Sequence, residues 1–138
     1  MSAKPYTVLI VDDEAPLRRV LERSLTREGY RVVSAGSAET AYELLAAAQT
    51  DAVLLDIHLP TMSGLALYLA IAHRWPALDG RMAIMTGDAE AEDVRAWLER
   101  HRCTVIRKPF NLKDITDWLA AALRFGEAGR EQQGGAEA

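Results

Sequence analysis

Residues 7–13 read TVLIVDD, a short apolar run that ends in two acids. Downstream, Leu17, Val20, Leu21 and Leu25 recur at helical spacing. A short apolar run followed by an apolar stripe of helical period predicts a buried strand that leads into an amphipathic helix. The chain therefore opens with a strand and a helix, the first part of a βαβ unit.

The same alternation continues along the chain. Apolar runs predict four more strands at residues 31–34, 52–55, 82–85 and 104–106. Four more helices are predicted, one after Ser37 as N-cap, one at about 63–74, one around 91–98 and one at 112–122. Because strands that alternate with helices pair in parallel and are covered on both faces, the prediction is a doubly wound α/β fold, a three-layer sandwich.

Length and composition indicate one globular domain. The 138 residues suit a single core, and the hydrophobic content of 49% with 26% charged residues is typical of a folded chain. Residues 126–138 lose the apolar periodicity and are rich in Gly, Glu and Gln. We therefore expect a domain over residues 1–125 and a disordered tail or truncated linker over 126–138.

Charge and hydropathy argue against two classes of partner. The formal net charge is -4, and no basic stripe offers a footprint for nucleic acid or anionic lipid, so we expect no nucleic-acid binding by this chain alone and no membrane partner. No apolar run approaches the roughly 20 residues of a membrane span, and residues 1–6 are too short and polar for a signal peptide. The single Cys103 cannot form an intramolecular disulfide. We expect a cytoplasmic location.

Polar residues stand where the predicted strands end. Asp12 and Asp13 follow the first strand, Asp56 follows the third, Thr86 ends the fourth and Lys108 follows the fifth. Since functional sites of open parallel sheets lie outside the carboxyl ends of the strands, these residues are expected at one edge.

Such a cluster implies a metal ion and a phosphoryl group. Carboxylates 4 Å apart repel by about 4 kcal/mol per pair at an effective dielectric near 20, which favours a bound divalent cation. Oxygen ligands with incomplete protein coordination suit Mg²⁺, and Asp56 is then the candidate nucleophile. Lys108, one of only three lysines beside 13 arginines, offers a compact cation, and Thr86 offers a hydroxyl next to the small Gly87.

Each of these residues alone also has a plain structural interpretation. Asp12 and Asp13 fit a turn at a strand end, and Lys108 fits a solvated surface cation. Their joint placement at several strand ends favours the functional interpretation. His58 lies alone in a loop with no second histidine at ligand spacing, so we assign it no catalytic role.

Three motifs together resemble the receiver domain of two-component response regulators. They are VLIVDDE at 8–14, DIHLPTMSG at 56–64 and KPF at 108–110, and the resemblance extends from about residue 6 to residue 125. It implies a flavodoxin-like five-stranded parallel sheet in the order 2-1-3-4-5 and a cis peptide bond before Pro109. It also implies a phosphorelay switch whose donor is a histidine kinase or a histidine phosphotransfer protein, and which is no enzyme beyond its own phosphorylation and slow dephosphorylation.

The resemblance also implies roles for individual residues. Asp56 is the expected phosphoacceptor, with Thr86 and Lys108 as contacts of the phosphoryl group. The expected Mg²⁺ ligands are Asp12, Asp13, Asp56 and the backbone carbonyl of Ile57. Phosphorylation is expected to change the face near residues 87–106 and so alter the binding of a downstream partner.

The sequence departs from the family pattern at three places. Val105 stands where an aromatic residue is frequent, His101-Arg102 stands where many members have Gly-Ala, and Leu59 replaces a common Met. Because Val105 is short and β-branched, the conformational response is expected to be smaller than usual. Residues 85–88, 97–98 and 105–110 look most like receivers associated with hybrid histidine kinases.

Three other functions were considered. A phosphatase of the haloacid dehalogenase type needs an Asp-x-Asp after its first strand, whereas Asp12 and Asp13 are adjacent and no cap insertion is present. A nucleotide-binding Rossmann module needs a glycine-rich loop, and none follows any strand. A receiver-like module without phosphorylation leaves the acids, hydroxyl and lysine without a purpose, and phosphorylation assays distinguish it.

Overall fold

A computed structural model describes residues 5–87 and 91–123. Its strands and helices alternate along the chain in the order β1 Thr7–Val11, α1 Ala15–Arg27, β2 Arg31–Ala35, α2 Ala38–Ala47, β3 Ala52–Asp56, α3 Gly64–Arg74, a 3-10 turn Pro76–Leu78, β4 Met82–Thr86, α4 Glu92–His101 and β5 Thr104–Arg107. The last helix, α5, covers residues 112–123 of the described chain. The predicted alternation is confirmed.

All strand pairs are parallel, and the order across the sheet is β2-β1-β3-β4-β5. This confirms the flavodoxin-like order that the resemblance implied. β3 extends one residue beyond its apolar run, because Asp56 still pairs in register with Met85 of β4. The candidate nucleophile is therefore the last residue of a central strand, and its backbone is held in position by the sheet.

The core consists of two layers, one on each face of the sheet. Val8 and Ile10 of β1 face one layer, which α1 and α5 cover, and Leu9 and Val11 face the other, which α2, α3 and α4 cover. Successive residues of a strand point to opposite faces, so an unbroken apolar strand is buried on both. The three-layer sandwich is confirmed.

Local signals account for the helix boundaries. Ser37 accepts a hydrogen bond from the Thr40 amide and begins α2, as predicted. Ser63 accepts one from the Leu65 amide, so α3 begins at Gly64, one residue after the predicted start. At the end of α4, Arg102 adopts a left-handed conformation with φ 53°, which costs a residue with a β-carbon about 1 kcal/mol.

Two expectations fall on the chain termini. The predicted boundary at residue 125 and the predicted tail at 126–138 lie outside the described residues. Among residues 5–87 and 91–123, no helix has both the length and the apolar character needed to span a membrane.

Candidate functional site

Neighbouring strands bring the predicted residues to one edge of the sheet. Asp12 directly follows β1, Asp56 and Thr86 end β3 and β4, and Lys108 directly follows β5. Because β1, β3, β4 and β5 are consecutive in the sheet, their carboxyl ends form a continuous edge. The register leaves Thr86 one position beyond the Asp56 pairing partner Met85.

Lys108 lies among the acids. Its Nζ is 3.0 Å from Oδ2 of Asp12, 3.5 Å from Oδ2 of Asp56 and 4.0 Å from Oε1 of Glu14. The peptide bond between Lys108 and Pro109 is cis, as expected. The Lys108 amide donates a 2.9 Å hydrogen bond to the carbonyl of Thr86, which holds the start of this loop on β4. One ammonium thus neutralises part of the charge of two buried carboxylates.

Three carboxylates are close enough to share a cation. One oxygen of each of Asp12, Asp13 and Asp56 lies within 4.8 Å of the other two. Asp12 and Asp56 are buried, whereas Asp13 is exposed. Hard oxygen donors with one solvent-facing side fit Mg²⁺, which retains several water ligands when it binds to proteins. The donor set therefore suits the expected ion.

Burial and charge act in opposite directions on Asp56. Burial raises the pKa of its carboxyl group, and the charge of Asp12 raises it further, whereas Lys108 and a hydrogen bond from the His58 amide lower it; the net shift is upward. For Lys108, burial lowers the pKa of the ammonium group, but the hydrogen bond and charge of Asp12 with the charges of Asp56 and Glu14 outweigh it, so this pKa is raised. The site therefore favours binding of additional positive charge near Asp56.

The loop after β3 is fixed by a close backbone approach. The Gly64 amide donates a 2.7 Å hydrogen bond to the carbonyl of Ile57. A β-carbon on Gly64 would lie 1.9 Å from the carbonyl oxygen of Asp56, so only glycine fits there. This hydrogen bond uses one lone pair of the Ile57 carbonyl oxygen, and a carbonyl oxygen has two. Ile57 therefore stays in the ligand set proposed below.

Asp12 is held by contacts that sequence reasoning missed. Its Oδ1 accepts a hydrogen bond from the Glu14 amide at 2.9 Å, and its backbone carbonyl accepts one from the Arg18 guanidinium at 2.6 Å. Arg18 also occupies the space beside Gly36, where a β-carbon would come 3.0 Å from its Nη1. Arg18 stands at an ordinary helical position of α1, so no sequence signal distinguishes it from a surface arginine.

The remaining predicted residues lie near the edge in different states of burial. Thr86 is fully buried and Gly87 is exposed. His58 is exposed, and its backbone forms an isolated antiparallel β-bridge with Ser63. Val105 lies in β5 and packs, half-buried, against the layer that contains Trp97. The residues directly after Gly87, at 88–90, lie outside the described residues.

Comparisons with known proteins agree on one family. Residues 8–120 match the family described as "Response regulator receiver domain". The chain is 32% identical over 121 residues to the "Probable transcriptional regulatory protein TcrX" of Mycobacterium tuberculosis, which covers 88% of the chain and 51% of that protein. It is 31% identical over 118 residues to the "Phosphate regulon transcriptional regulatory protein PhoB" of Pseudomonas aeruginosa, which covers 86% of the chain and 52% of that protein. The chain thus spans about half the length of the curated relatives it matches.

Solved structures show the same fold. The signal receiver domain of an HD domain-containing protein from Pseudomonas fluorescens Pf-5 superposes with a TM-score of 0.83 at 25% identity, over 95% of this chain and 96% of that chain. A CheY-like response regulator receiver domain protein from Methanospirillum hungatei also superposes with a TM-score of 0.83, at 24% identity, over 91% and 99% of the two chains. At the latter identity the likeness concerns the fold alone.

Proposed function

The chain belongs to the response regulator receiver domain family of two-component systems, and from this premise we propose that it is a phosphorelay switch that accepts a phosphoryl group on Asp56. The observation that carries the proposal is the position of Asp56, buried at the end of β3 with its Oδ2 3.5 Å from Lys108 Nζ. A histidine kinase or a histidine phosphotransfer protein is the proposed donor. The proposed location is the cytoplasm, where such donors present their phosphohistidine.

The transfer is a displacement at phosphorus. An oxygen of the ionised Asp56 carboxylate forms the new P–O bond while the P–N bond to the donor imidazole breaks, and the electron pair of that bond stays on the imidazole nitrogen. Lys108, which contacts both Asp56 and Asp12, is placed to neutralise charge on the phosphoryl oxygens. Thr86, at the end of the adjacent strand, is the proposed hydroxyl donor to the phosphoryl group.

Mg²⁺ is the proposed cofactor, held by the carboxylates of Asp12, Asp13 and Asp56 and by the backbone carbonyl of Ile57. When bound, it supplies Lewis-acid stabilisation of the phosphoryl oxygens. The protein prepares this site by fixing Asp12 through Glu14 and Arg18, so that the buried carboxylate does not need to reorganise.

Phosphorylation is proposed to act on a partner through the face near residues 87–106. The new group adds about -1.5 to -2 charge next to Thr86, which leads directly into the segment before α4. On this face Trp97 packs against Tyr68 with ring centroids 5.8 Å apart and stacks on His101 at 4.0 Å. A downstream protein or output domain is the proposed reader, and we propose no nucleic-acid contact by this chain alone.

Intact-mass analysis tests the function directly. The full chain is incubated with acetyl phosphate and Mg²⁺, and one phosphoryl group is expected on the wild type and none on Asp56→Asn. Asp117→Asn, which changes an exposed aspartate of α5 in the same way, should be phosphorylated like the wild type. A phosphoryl group that persists on Asp56→Asn, or its absence from the wild type, contradicts the proposal; the second result favours a receiver-like module without phosphorylation.

A further inference from the structure

A groove of about 430 Å³ opens at the end of the sheet opposite Asp56. Its walls come from the last turn of α2, from Gln49 and Thr50 ahead of β3, and from residues between α3 and β4. The amino ends of β3 and β4 therefore lie beside it. Its volume falls in the range of about 300–1,000 Å³ that is typical of small-molecule sites.

Arg81 is the charged residue of this groove. It is only 7% exposed, and its backbone is fixed by hydrogen bonds to Leu78 and Val53. Within residues 5–87 and 91–123, the guanidinium takes part in none of the hydrogen bonds or ion pairs found. No buried side-chain nitrogen or oxygen of this part of the chain lacks a partner, so the unpaired guanidinium nitrogens retain some contact with solvent, and Arg81 lines the groove.

Arg81 has no counter-charge among residues 5–87 and 91–123. Burying a cation without a partner costs free energy, because the cation loses hydrogen bonds to water and the protein does not replace them. An apolar side chain of similar volume would fill this position at lower cost. Arg81, a residue only 7% exposed whose guanidinium nitrogens retain some contact with solvent, is therefore suited to bind an anion at the wall of the groove.

The rest of the groove is mainly apolar. Leu45, Trp75 and Leu78 line it together with alanines of the α2 end. The Trp75 ring also contacts Tyr42, with ring centroids 4.9 Å apart, and Arg74, whose guanidinium lies 5.0 Å from the ring centroid. The ligand that fits these walls has an apolar body larger than its charged group.

We propose that this groove binds a small monocarboxylate with an aromatic or branched aliphatic body. The planar guanidinium of Arg81 matches a carboxylate through two parallel hydrogen bonds. The carboxyl end of α2, which ends at Ala47, carries the negative end of the helix dipole, and it repels a doubly charged phosphate more strongly than a singly charged carboxylate. The proposal goes beyond the phosphorelay function and does not depend on it.

NMR titration of the full chain, without Mg²⁺ or phosphodonor, tests the proposal. Phenylacetate and 4-methylpentanoate should each shift the Trp75 indole N–H resonance saturably, whereas phenylacetamide, uncharged and of the same shape, should bind at least tenfold more weakly. Arg81→Met should weaken phenylacetate binding at least tenfold. Arg23→Met is the matched control, because Arg23 is an exposed arginine of α1 that does not line the groove, and the affinity of this variant for phenylacetate should stay within twofold of the wild type.

Each contrary result overturns the proposal. These results are the absence of a Trp75 shift with both acids, equal binding of phenylacetamide, equal binding by Arg81→Met, or displacement of phenylacetate by equimolar inorganic phosphate. Thermal unfolding without ligand provides the second measurement. Arg81→Met should be at least as stable as the wild type, and a clear loss of stability would show that Arg81 serves the fold rather than a ligand.

Discussion

The two ends of the sheet differ in whether their buried charged side chains have partners of opposite charge. At the carboxyl end, Asp12 and Asp56 are buried and share Lys108 at 3.0 and 3.5 Å. At the amino end, Arg81 is buried to a similar degree, and the part of the chain that the structure describes gives it no such partner. Burial of a charge therefore does not by itself indicate a phosphotransfer site. A phosphotransfer site is instead indicated by the arrangement of acids, lysine and hydroxyl relative to each other. Substitutions can perturb each end of the sheet separately.

The largest effect is expected at Lys108. Lys108→Arg should slow phosphorylation by acetyl phosphate about 10²- to 10³-fold, although the positive charge is kept. The planar guanidinium of arginine is larger than the compact lysine ammonium that lies between the two carboxylates. The rate is measured by intact mass against time. Lys113→Arg is the control, because the Lys113 side chain is exposed on α5, and this variant should leave the rate unchanged. A near-normal rate in Lys108→Arg would contradict direct contact with the phosphoryl group.

A glycine at each end gives the next comparison. Gly64→Ala should lower the free energy of unfolding by about 3 kcal/mol, because the new β-carbon meets the Asp56 carbonyl at 1.9 Å. Gly80→Ala, near the amino end, should cost only about 1 kcal/mol, since its φ of 85° is strained for alanine but no atom lies within 4 Å. Urea unfolding measures both, and equal losses would mean that the contact with Asp56 relaxes without cost.

The pH dependence of stability should isolate Asp56. Its folded pKa is raised above the ordinary 3.8, so its contribution to the free energy of unfolding is greatest at low pH and is lost as pH rises through the folded pKa. Asp56→Asn does not titrate, so its stability advantage over the wild type should be absent near pH 3 and grow toward neutrality. The raised pKa of Lys108 acts only above about 10.5 and stays outside this window.

Urea unfolding between pH 3 and 8, without divalent ions, gives the difference between the two proteins. An advantage of Asp56→Asn that shrinks as pH rises would show that Lys108 outweighs the burial of Asp56.

The smallest effect is expected on the face near residues 87–106. Beryllofluoride with Mg²⁺ should shift NMR amide resonances from Gly87 to Arg102 and around Val105, and Thr86→Ala should reduce those shifts while Asp56 remains phosphorylatable. The shifts should be modest, because Val105 is β-branched and has few side-chain conformations. Shifts confined to the acidic site would contradict this route of signalling.

The alternation of apolar runs with helical stripes was sufficient to predict the architecture. Residues 8–11 and 52–55 are apolar without interruption, which indicated strands covered on both faces, and the structure has them in the interior of the sheet. The same rule placed Asp12, Asp56 and Lys108 at one edge, since carboxyl ends of parallel strands meet there. The strand order came from the resemblance to receiver domains and not from the pattern itself.

What the sequence by itself determined is local: the strands, the helices and which polar residues end the strands, because apolar periodicity is encoded within short segments. Beyond the residues at the strand ends, only the tertiary structure decided which side chains and backbone groups contact each other. In the folded chain, the Gly64 amide donates a hydrogen bond to the Ile57 carbonyl, and the Arg18 guanidinium donates one to the Asp12 carbonyl. Arg81 is buried at the wall of a groove. These contacts depend on how separate segments pack against each other, and no single segment carries a pattern that specifies them.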